Sequence, residues 1–354
     1  MATWSAISAA RAFEAVSAAS IPARQAEAGA PVLQVRDLDV LIRGEEASFL
    51  VVRDMGFSVR AGGTLAIVGE SGCGKSMTAL SLLRLEPDAA TIARGTVLID
   101  GMDVRELPQH RLEDLRGDRI GMIFQEPLTS LNPVMTIGDQ IAEGVMQHRR
   151  VDRRTARRRA VEMLTLVRMP DAERRSEAYP HQLSGGMRQR AMIALALACE
   201  PNVLVADEPT TALDVTIQAQ ILGLIRDLQE RLGTALVLIT HDLGVVAEMA
   251  DEVIVMYAGR RVEVASVDAF FDRPLHPYTR ALMRAAPNLT DAGRAKMPLA
   301  EIPGTVPPPW NMPRGCAFAP RCPSAVERCR NEEPPLAMKE DGHWAACWEI
   351  GDAS

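Results

Sequence analysis

Short, uninterrupted apolar runs recur along this chain, and each one ends at glycine or polar residues. Runs of this length are typical of strands that are buried on both faces. The runs are separated by longer stretches in which apolar residues recur at helical spacing, and the chain is therefore expected to fold as an α/β protein. The predicted buried strands are residues 65–68, 120–124, 203–206 and 235–239.

A different pattern precedes the first buried run. Apolar and polar residues alternate over residues 32–40, which predicts a strand with one buried face. Together with the next two predicted strands, it indicates an antiparallel β layer beside the first buried strand. The other short strands are predicted over residues 49–52, 56–59 and 95–99, and helices over residues 77–85 and 139–168.

The loop between the first buried strand and the first helix fits the phosphate-binding pattern G-x-x-x-x-G-K-[ST]. Its glycines let successive backbone N–H groups point inward and form an anion pocket. Lys75, one of only three lysines in the chain, is expected to reach the β- and γ-phosphates, and Ser76 is expected to hold Mg²⁺. The predicted nucleotide-binding residues of this loop are Gly69, Glu70, Ser71, Gly72, Cys73, Gly74, Lys75 and Ser76.

Polar side chains also follow the later buried strands. Gln125 stands where Mg²⁺ and the attacking water could be sensed. Asp207 is expected to bind Mg²⁺, directly or through water, and Glu208 to polarise the attacking water. His241 ends the last of these strands. Taken singly each is an ordinary cap, but their order along one chain favours a catalytic set.

A second anion site is predicted where a helix begins at Ser184. Ser184 is a natural N-cap, and Gly185 and Gly186 leave the first N–H groups of the helix open.

Composition narrows the function classes. Hydrophobic residues make up 47% and charged residues 24% of the 354 residues, as in ordinary globular proteins. A net charge of −7 provides no overall attraction to nucleic acid. No apolar run approaches the roughly 18 residues that a membrane span needs. The arginine-rich segment 149–159 is interpreted as a solvated helix face, with contact to phosphate or anionic lipid as the alternative.

Four of the six cysteines crowd the C-terminal tail. Residues 1–31 lack the apolar core of a signal peptide and are interpreted as a flexible tail, so we expect reduced thiols. A proline-rich tail too thin for its own core favours a metal staple over buried free thiols. Structural zinc usually has tighter pairs, and the wider spacing favours an iron–sulfur cluster, with zinc as the alternative. The predicted ligands are Cys316, Cys322, Cys329 and Cys347.

Together these motifs resemble the ATPase subunit of ATP-binding-cassette transporters. The resemblance covers residues 32–287 and implies an ABC-type phosphate-loop core with an antiparallel β subdomain and a helical subdomain over about residues 126–185. It implies that ATP and Mg²⁺ bind, with Gln125, Glu208 and His241 in catalysis and Gln189 and Asp214 at the nucleotide. It also implies a head-to-tail pair of cassettes, in which residues 184–186 clamp the γ-phosphate held by a second, identical or paralogous, subunit.

The remaining tail, residues 288–354, resembles that of oligopeptide and dipeptide importer ATPases, which nickel and glutathione importers share. The motifs that carry this resemblance are residues 276–282, just before the tail, and residues 302–304 and 315–322 within it. The resemblance implies two membrane permease subunits, an extracytoplasmic solute-binding protein, no nucleic-acid partner and a peripheral place at the cytoplasmic face of the membrane. Some members of the group carry a four-iron cluster at matching cysteines.

Two points depart from the family or compete with it. The aromatic residue that usually stacks on adenine is matched by Ile42, with Phe49 as a substitute from the next strand. The alternative function is a non-transport cassette ATPase acting on DNA or the ribosome, but the paired cassettes, coiled insertions or zinc modules of such proteins are not visible.

Overall fold

The computed structural model describes residues 30–44, 47–211, 213–286 and 301–351. The predicted tail of residues 1–31 lies, except for its last two residues, outside this part of the chain. The strands are β1 (Pro31–Arg43), β2 (Ser48–Arg60), β3 (Thr64–Val68), β4 (Ala90–Ile99), β5 (Met102–Asp103), β6 (Ile120–Ile123), β7 (Val203–Asp207), β8 (Ala235–Ile239), β9 (Glu252–Tyr257), β10 (Arg260–Ser266), β11 (Ala337–Glu340) and β12 (His343–Ala345).

Helices fill most of the intervals between these strands. They are α1 (Lys75–Leu82), α2 (Gln109–Leu115), α3 (Pro127–Ser130), α4 (Ile137–Arg149), α5 (Arg153–Leu166), α6 (Ala172–Ser176), α7 (Gly185–Leu197), α8 (Val215–Leu232), α9 (Leu243–Met249), α10 (Val267–Asp272), α11 (Pro277–Ala285) and α12 (Glu327–Asn331). Among the described residues, no helix combines the length and the apolar character that crossing a membrane requires.

Two sheets organise the chain. The first is antiparallel and has the strand order β2-β1-β4-β5. The second has the order β11-β12-β10-β9-β3-β8-β7-β6, and its strands β9, β3, β8, β7 and β6 run parallel. The carboxyl ends of these parallel strands therefore meet at one edge of the sheet. The predicted α/β fold with an antiparallel β layer is confirmed.

Three clusters of apolar side chains cover the second sheet. Helices α4 to α8 pack on one face around residues such as Ile141 and Ile193. The antiparallel sheet and α1 cover the other face around Leu38 and Leu82. A third cluster joins β9 to α11 and to residues 301–351, the C-terminal segment. Phe318 of this segment is completely buried. The C-terminal segment also adds β11 and β12 to the sheet edge, so it shares the core of the cassette.

Two sequence predictions of element boundaries were wrong. Residues 49–52 and 56–59 belong to one strand, β2, which bulges against β1 and so interrupts the regular alternation. Residues 139–168 form two helices, because Arg150 takes a left-handed conformation with φ of 51°. Asp152 then caps α5 by accepting a hydrogen bond from the Thr155 N–H at 2.8 Å. The domain boundaries stay predictions.

The arginine-rich segment lies on these two helices and pairs with acids of the same chain. Arg157 contacts Asp139 at 2.8 Å, and Arg159 contacts Glu200 at 2.6 Å. These contacts agree with the interpretation of a solvated, salt-bridged helix face.

A buried carboxylate ties the C-terminal strands to the cassette. Glu263 of β10 is completely buried and accepts hydrogen bonds from the N–H groups of Leu275 and His276, at 2.8 and 2.7 Å. Its Oε1 atom also lies 2.7 Å from the His343 imidazole on β12. His276 in turn caps α11, and its Nδ1 accepts from the Tyr278 N–H at 3.1 Å. One polar network thus joins β10, α11 and β12.

His276 makes the stability of this region depend on pH. Burial lowers the pKa of His276 to about 4, partly opposed by the charge of Glu263. In the unfolded chain its pKa is about 6.5, so only the unfolded state gains a proton between these values. The contribution is present above about pH 6.5 and is lost as the pH falls toward about 4, at up to roughly 1.4 kcal/mol per pH unit.

We therefore expect His276→Asn to flatten this dependence, because asparagine keeps a capping acceptor and does not titrate. Unfolding free energies from urea titrations at about pH 7.5 and about pH 5.5 measure it. The drop between the two values should be smaller in the variant by on the order of 1 kcal/mol. Equal drops in both proteins would contradict the assignment of His276 as the titrating group.

Candidate active site

The phosphate loop is wedged between β9 and the first sheet. A Cβ atom at Gly69 would lie 2.2 Å from the Met256 carbonyl oxygen, and one at Gly74 would lie 2.6 Å from the Val51 carbonyl oxygen. Gly74 also has φ of 103° where it caps α1. Only glycine fits at both positions, and the loop is thereby held at the carboxyl end of β3.

Lys75 is buried at the start of α1. Its Nζ donates hydrogen bonds to the carbonyl oxygens of Gly69 and Glu70, at 2.7 and 2.9 Å. The ammonium group thus closes the loop on itself. The first turn of α1 follows at once, so a cation and open backbone N–H groups stand together at the predicted phosphate site.

Asp207 and Ser76 meet beside this loop. Asp207 ends β7, is 4% exposed and is hydrogen-bonded to Ser76. Burial raises the pKa of Asp207, although the hydrogen bond from Ser76 and the charge of Lys75 oppose that shift. Its Oδ1 atom is buried without a hydrogen-bond partner in the described part of the chain. A hard cation prefers such oxygen ligands, so these two residues fit Mg²⁺.

Glu208 gathers the other predicted catalytic residues around its carboxylate. Oε2 accepts hydrogen bonds from Gln125 Nε2 at 3.2 Å and from Thr211 Oγ1 at 2.8 Å. Oε1 lies 3.1 Å from His241 Nδ1. Strands β6, β7 and β8 each deliver one member of this set at their carboxyl ends, as the sequence predicts.

Glu208 combines an unusual backbone conformation with contacts that favour its charged form. Its φ of 47° lies in the left-handed region, a strained conformation for a residue with a long side chain. Burial would raise the pKa of Glu208, but the hydrogen bonds from Thr211 and His241 outweigh it and lower the pKa. The carboxylate is therefore ionised at neutral pH and aimed by three partners.

The residues of the predicted second anion site lie at the start of helix α7. Ser184 Oγ accepts from the Met187 N–H at 3.4 Å and caps α7. A Cβ at Gly186 would lie 3.0 Å from a methyl carbon of Ile217, so the turn packs closely on the start of α8. Asp214 caps that helix and accepts from the Ile217 N–H at 3.0 Å. Gly185 lies in the same turn, so the structure places this turn beside Asp214.

Gln189 is 2% exposed, and its amide donates to the Pro209 carbonyl next to Glu208. It thus supports the segment that follows Glu208, and its contact with nucleotide stays a prediction. Ile42 and Phe49 are partners across β1 and β2, and the Phe49 ring meets the exposed Trp310 ring edge-on at 5.7 Å. Which of the two side chains stacks on adenine stays a prediction.

The four C-terminal cysteines line one small cavity. All four are free thiols, and burial raises the pKa of Cys316 to about 11. Within the described ranges, no group of three or more His, Cys, Asp or Glu side chains is positioned to hold a metal ion. The side chains share a cavity without forming a ligand set. The thiols are Cys316, Cys322, Cys329 and Cys347.

Sequence reasoning missed three residues that touch this site. Thr211 stands three positions after Glu208, so its spacing could have revealed it. Tyr278 accepts a hydrogen bond from the Glu70 N–H at 2.8 Å, and Arg321 pairs with the Glu70 carboxylate at 2.8 Å. These last two lie 208 and 251 positions from Glu70, and no local pattern indicates such contacts.

Two parts of the chain match known protein families. Residues 52–211 match the model of the family "ABC transporter", and residues 262–329 match "Oligopeptide/dipeptide transporter, C-terminal region". A protein of Sinorhizobium fredii named "Probable peptide ABC transporter ATP-binding protein" is 56% identical over 322 residues, which cover 91% of this chain and 96% of that protein.

Solved structures give the same answer. A dimeric ATP-binding cassette in a post-hydrolysis state, bound to ADP and Pi, is 27% identical with a TM-score of 0.60 and covers 66% of this chain and 98% of its own. A dimeric bacterial ABC transporter cassette is 28% identical with the same TM-score and coverage. The resemblance in the sequence is thus confirmed, and the chain belongs to the ATP-binding-cassette transporter family as one of its ATPases.

Proposed function

We propose that this chain hydrolyses ATP to drive uptake of dipeptides, oligopeptides or a related solute through membrane permease subunits. The observation that carries the proposal is the match of residues 262–329 to the C-terminal region of oligopeptide and dipeptide transporters. The relative of Sinorhizobium fredii, named for peptide transport, supports the same cargo class. That C-terminal match also favours transport over action on DNA or the ribosome.

The phosphate loop would bind the nucleotide. Lys75 would exchange its two carbonyl partners for the β- and γ-phosphate oxygens, and the N–H groups of residues 69–76 would surround the phosphates. Ser76 and Asp207 would hold Mg²⁺, which would neutralise charge on the phosphates when bound. The buried, unpartnered Oδ1 of Asp207 supports this assignment.

Glu208 would act on the attacking water. Its carboxylate is ionised and held by Gln125, Thr211 and His241, so a water placed against it would be polarised toward the γ-phosphate. Gln125 follows β6 and contacts Glu208 directly, which suits it to report whether the site is filled. His241 is two-thirds exposed and could meet the γ-phosphate from the side facing solvent.

A second cassette would complete the site. Ser184 and Gly185 are exposed at the start of α7, as expected for a surface presented to a partner. The solved relatives are dimers, which supports a head-to-tail pair with an identical or paralogous subunit. In such a pair Ser184 would clamp the γ-phosphate held by the phosphate loop of the other subunit.

The segment between Gln125 and Tyr179 would contact two permease subunits. Val134 is 79% exposed there, and the Tyr179 ring is also exposed. Exposed apolar side chains in this segment suit contact with a partner. The ATPase would then lie at the cytoplasmic face of the membrane and work with a solute-binding protein on the other side.

Glu208→Gln tests the catalytic assignment. The amide keeps the size of the side chain but loses the negative charge, so turnover should fall by roughly a hundredfold or more while ATP binding persists. Steady-state phosphate release and a nucleotide titration measure the two effects. Glu248→Gln, at an exposed ion pair, is the matched control and should keep wild-type turnover. Near-normal hydrolysis by Glu208→Gln would contradict the role of Glu208.

Val134→Glu tests the permease contact. The charge should prevent apolar contact, so the variant should co-purify poorly with two multi-span proteins and should lose permease-dependent ATP hydrolysis. Its own ATP affinity should stay unchanged, because Val134 lies outside the phosphate site. Val326→Glu, another exposed valine, is the control. Unimpaired co-purification of Val134→Glu would contradict this surface, and tight DNA or ribosome binding by the wild type would contradict transport.

We also propose that the four C-terminal thiols bind a metal group, an iron–sulfur cluster in preference to zinc. The shared cavity supports this, and four thiolates are the usual ligand set of a cluster. The thiols would have to draw together, since their present positions form no ligand set. The cluster would supply a rigid crosslink between the segments that carry the four cysteines.

Anaerobic purification tests the metal group. The protein should be brown and contain iron and acid-labile sulfide, and Cys322→Ser should lose both. Cys199→Ser, a cysteine buried elsewhere, should keep them. Colourless protein with stoichiometric zinc would select the alternative, and metal-free protein would contradict both.

A further inference from the structure

Three separate contacts hold Glu70, the second residue of the phosphate loop. Its N–H donates to Tyr278 Oη at 2.8 Å, and its carbonyl accepts from Lys75 Nζ at 2.9 Å. Its carboxylate receives two hydrogen bonds from Arg321, at 2.8 and 3.1 Å. Two residues outside the loop, Tyr278 and Arg321, therefore fix the N–H and the carboxylate of Glu70, and Lys75 within the loop binds its carbonyl.

Arg321 is buried, and several hydrogen bonds fix the orientation of its guanidinium. Its side chain is 5% exposed, and the remaining donors of the guanidinium bind the Pro303 carbonyl at 2.9 Å and the Ile302 carbonyl at 3.1 Å. The Tyr257 hydroxyl accepts a further hydrogen bond at 3.2 Å. A planar guanidinium with all its donors engaged has one orientation, and that orientation presents two N–H groups to Glu70.

Aromatic rings pack beside the guanidinium of Arg321 and help to hold it in place. The rings of Tyr257 and Phe318 lie with their centroids 5.8 and 5.9 Å from the Arg321 guanidinium carbon. Tyr278 packs on both rings, at 4.6 and 5.4 Å. The same cluster thus positions the residue that binds the Glu70 backbone and the residue that binds its carboxylate.

Charge gives Arg321 a role in nucleotide binding. The phosphate loop must receive a polyanion, yet it carries a carboxylate of its own at Glu70. Left unpaired, that carboxylate would repel the phosphates and would be free to contact Lys75, whose Nζ already touches the Glu70 carbonyl. Paired with Arg321, it is neutralised and turned toward the C-terminal segment.

We infer that Arg321 is a positioning residue for the ATPase, which holds the Glu70 carboxylate away from the phosphate site and so keeps the phosphate loop competent for ATP. The C-terminal segment thereby completes the nucleotide site of its own chain. The inference rests on the ATPase activity of the family and is independent of the cargo, the permeases and the metal group.

Titration with a fluorescent ATP analogue tests this inference. The full-length wild-type chain is compared with separate full-length variants. Arg321→Ala should raise the Kd for ATP by on the order of tenfold, because the freed carboxylate opposes the phosphates. Arg321→Ala combined with Glu70→Gln should recover most of the lost affinity, since neither charge remains. Added salt should narrow the difference between Arg321→Ala and wild type. Arg273→Ala is the matched control, because the Arg273 pair with Glu340 also reaches the C-terminal segment but is exposed; its Kd should equal that of wild type.

Two results would overturn the inference. An unchanged Kd in folded Arg321→Ala would show that the loop does not need the arginine. A double variant as weak as Arg321→Ala would show that Arg321 acts only by packing the C-terminal segment. Should Arg321→Ala fail to fold, Arg321→Gln decides, because glutamine keeps hydrogen-bond donors but not the charge: a raised Kd supports the inference, and a wild-type Kd overturns it.

Discussion

The close approach of the phosphate loop to the Met256 carbonyl is the constraint on which the active site depends. Gly69 leaves no room for a side chain there, and Gly74 meets the Val51 carbonyl in the same way. The loop is therefore clamped between the parallel sheet and the antiparallel sheet. Once it is clamped, Lys75 and Ser76 are fixed in position, and Asp207 at the end of β7 is hydrogen-bonded to Ser76.

The carboxylate of Glu208, the predicted catalytic residue, is held in a different way. Glu208 is held by side chains that come from three strands and by a backbone conformation that local sterics disfavour. The surrounding sheet stabilises this strained conformation, because the Glu208 N–H donates a hydrogen bond to the Ile239 carbonyl at 2.9 Å. Backbone contacts thus fix the phosphate loop, whereas side-chain hydrogen bonds fix the Glu208 carboxylate.

Sequence reasoning found the parts of the fold that local pattern determines. Buried strands of uniform apolar character were recognised, and the polar residues at their ends proved to converge, because parallel strands end at one edge. The break at Arg150 was missed, since an arginine in a left-handed conformation leaves no trace in helical periodicity. The single strand β2 was divided for a similar reason, because its bulges against β1 mimic an interruption.

Contacts between distant parts of the chain were beyond local pattern. The motif at residues 276–282 was recognised only as a family mark, yet in the structure it carries Tyr278 to the phosphate loop. No periodicity links Glu70 to Arg321, because their contact arises from the packing of α11 and the C-terminal segment on β9 and β10.

The separation of 251 residues between Glu70 and Arg321 affects how the protein folds during its synthesis. During translation the phosphate loop emerges early, but its arginine emerges only when most of the chain has been made. Contacts of such long sequence separation form late in folding. A nascent chain would therefore lack the Arg321 contact to its phosphate loop until the C-terminal segment had emerged and packed on the sheet.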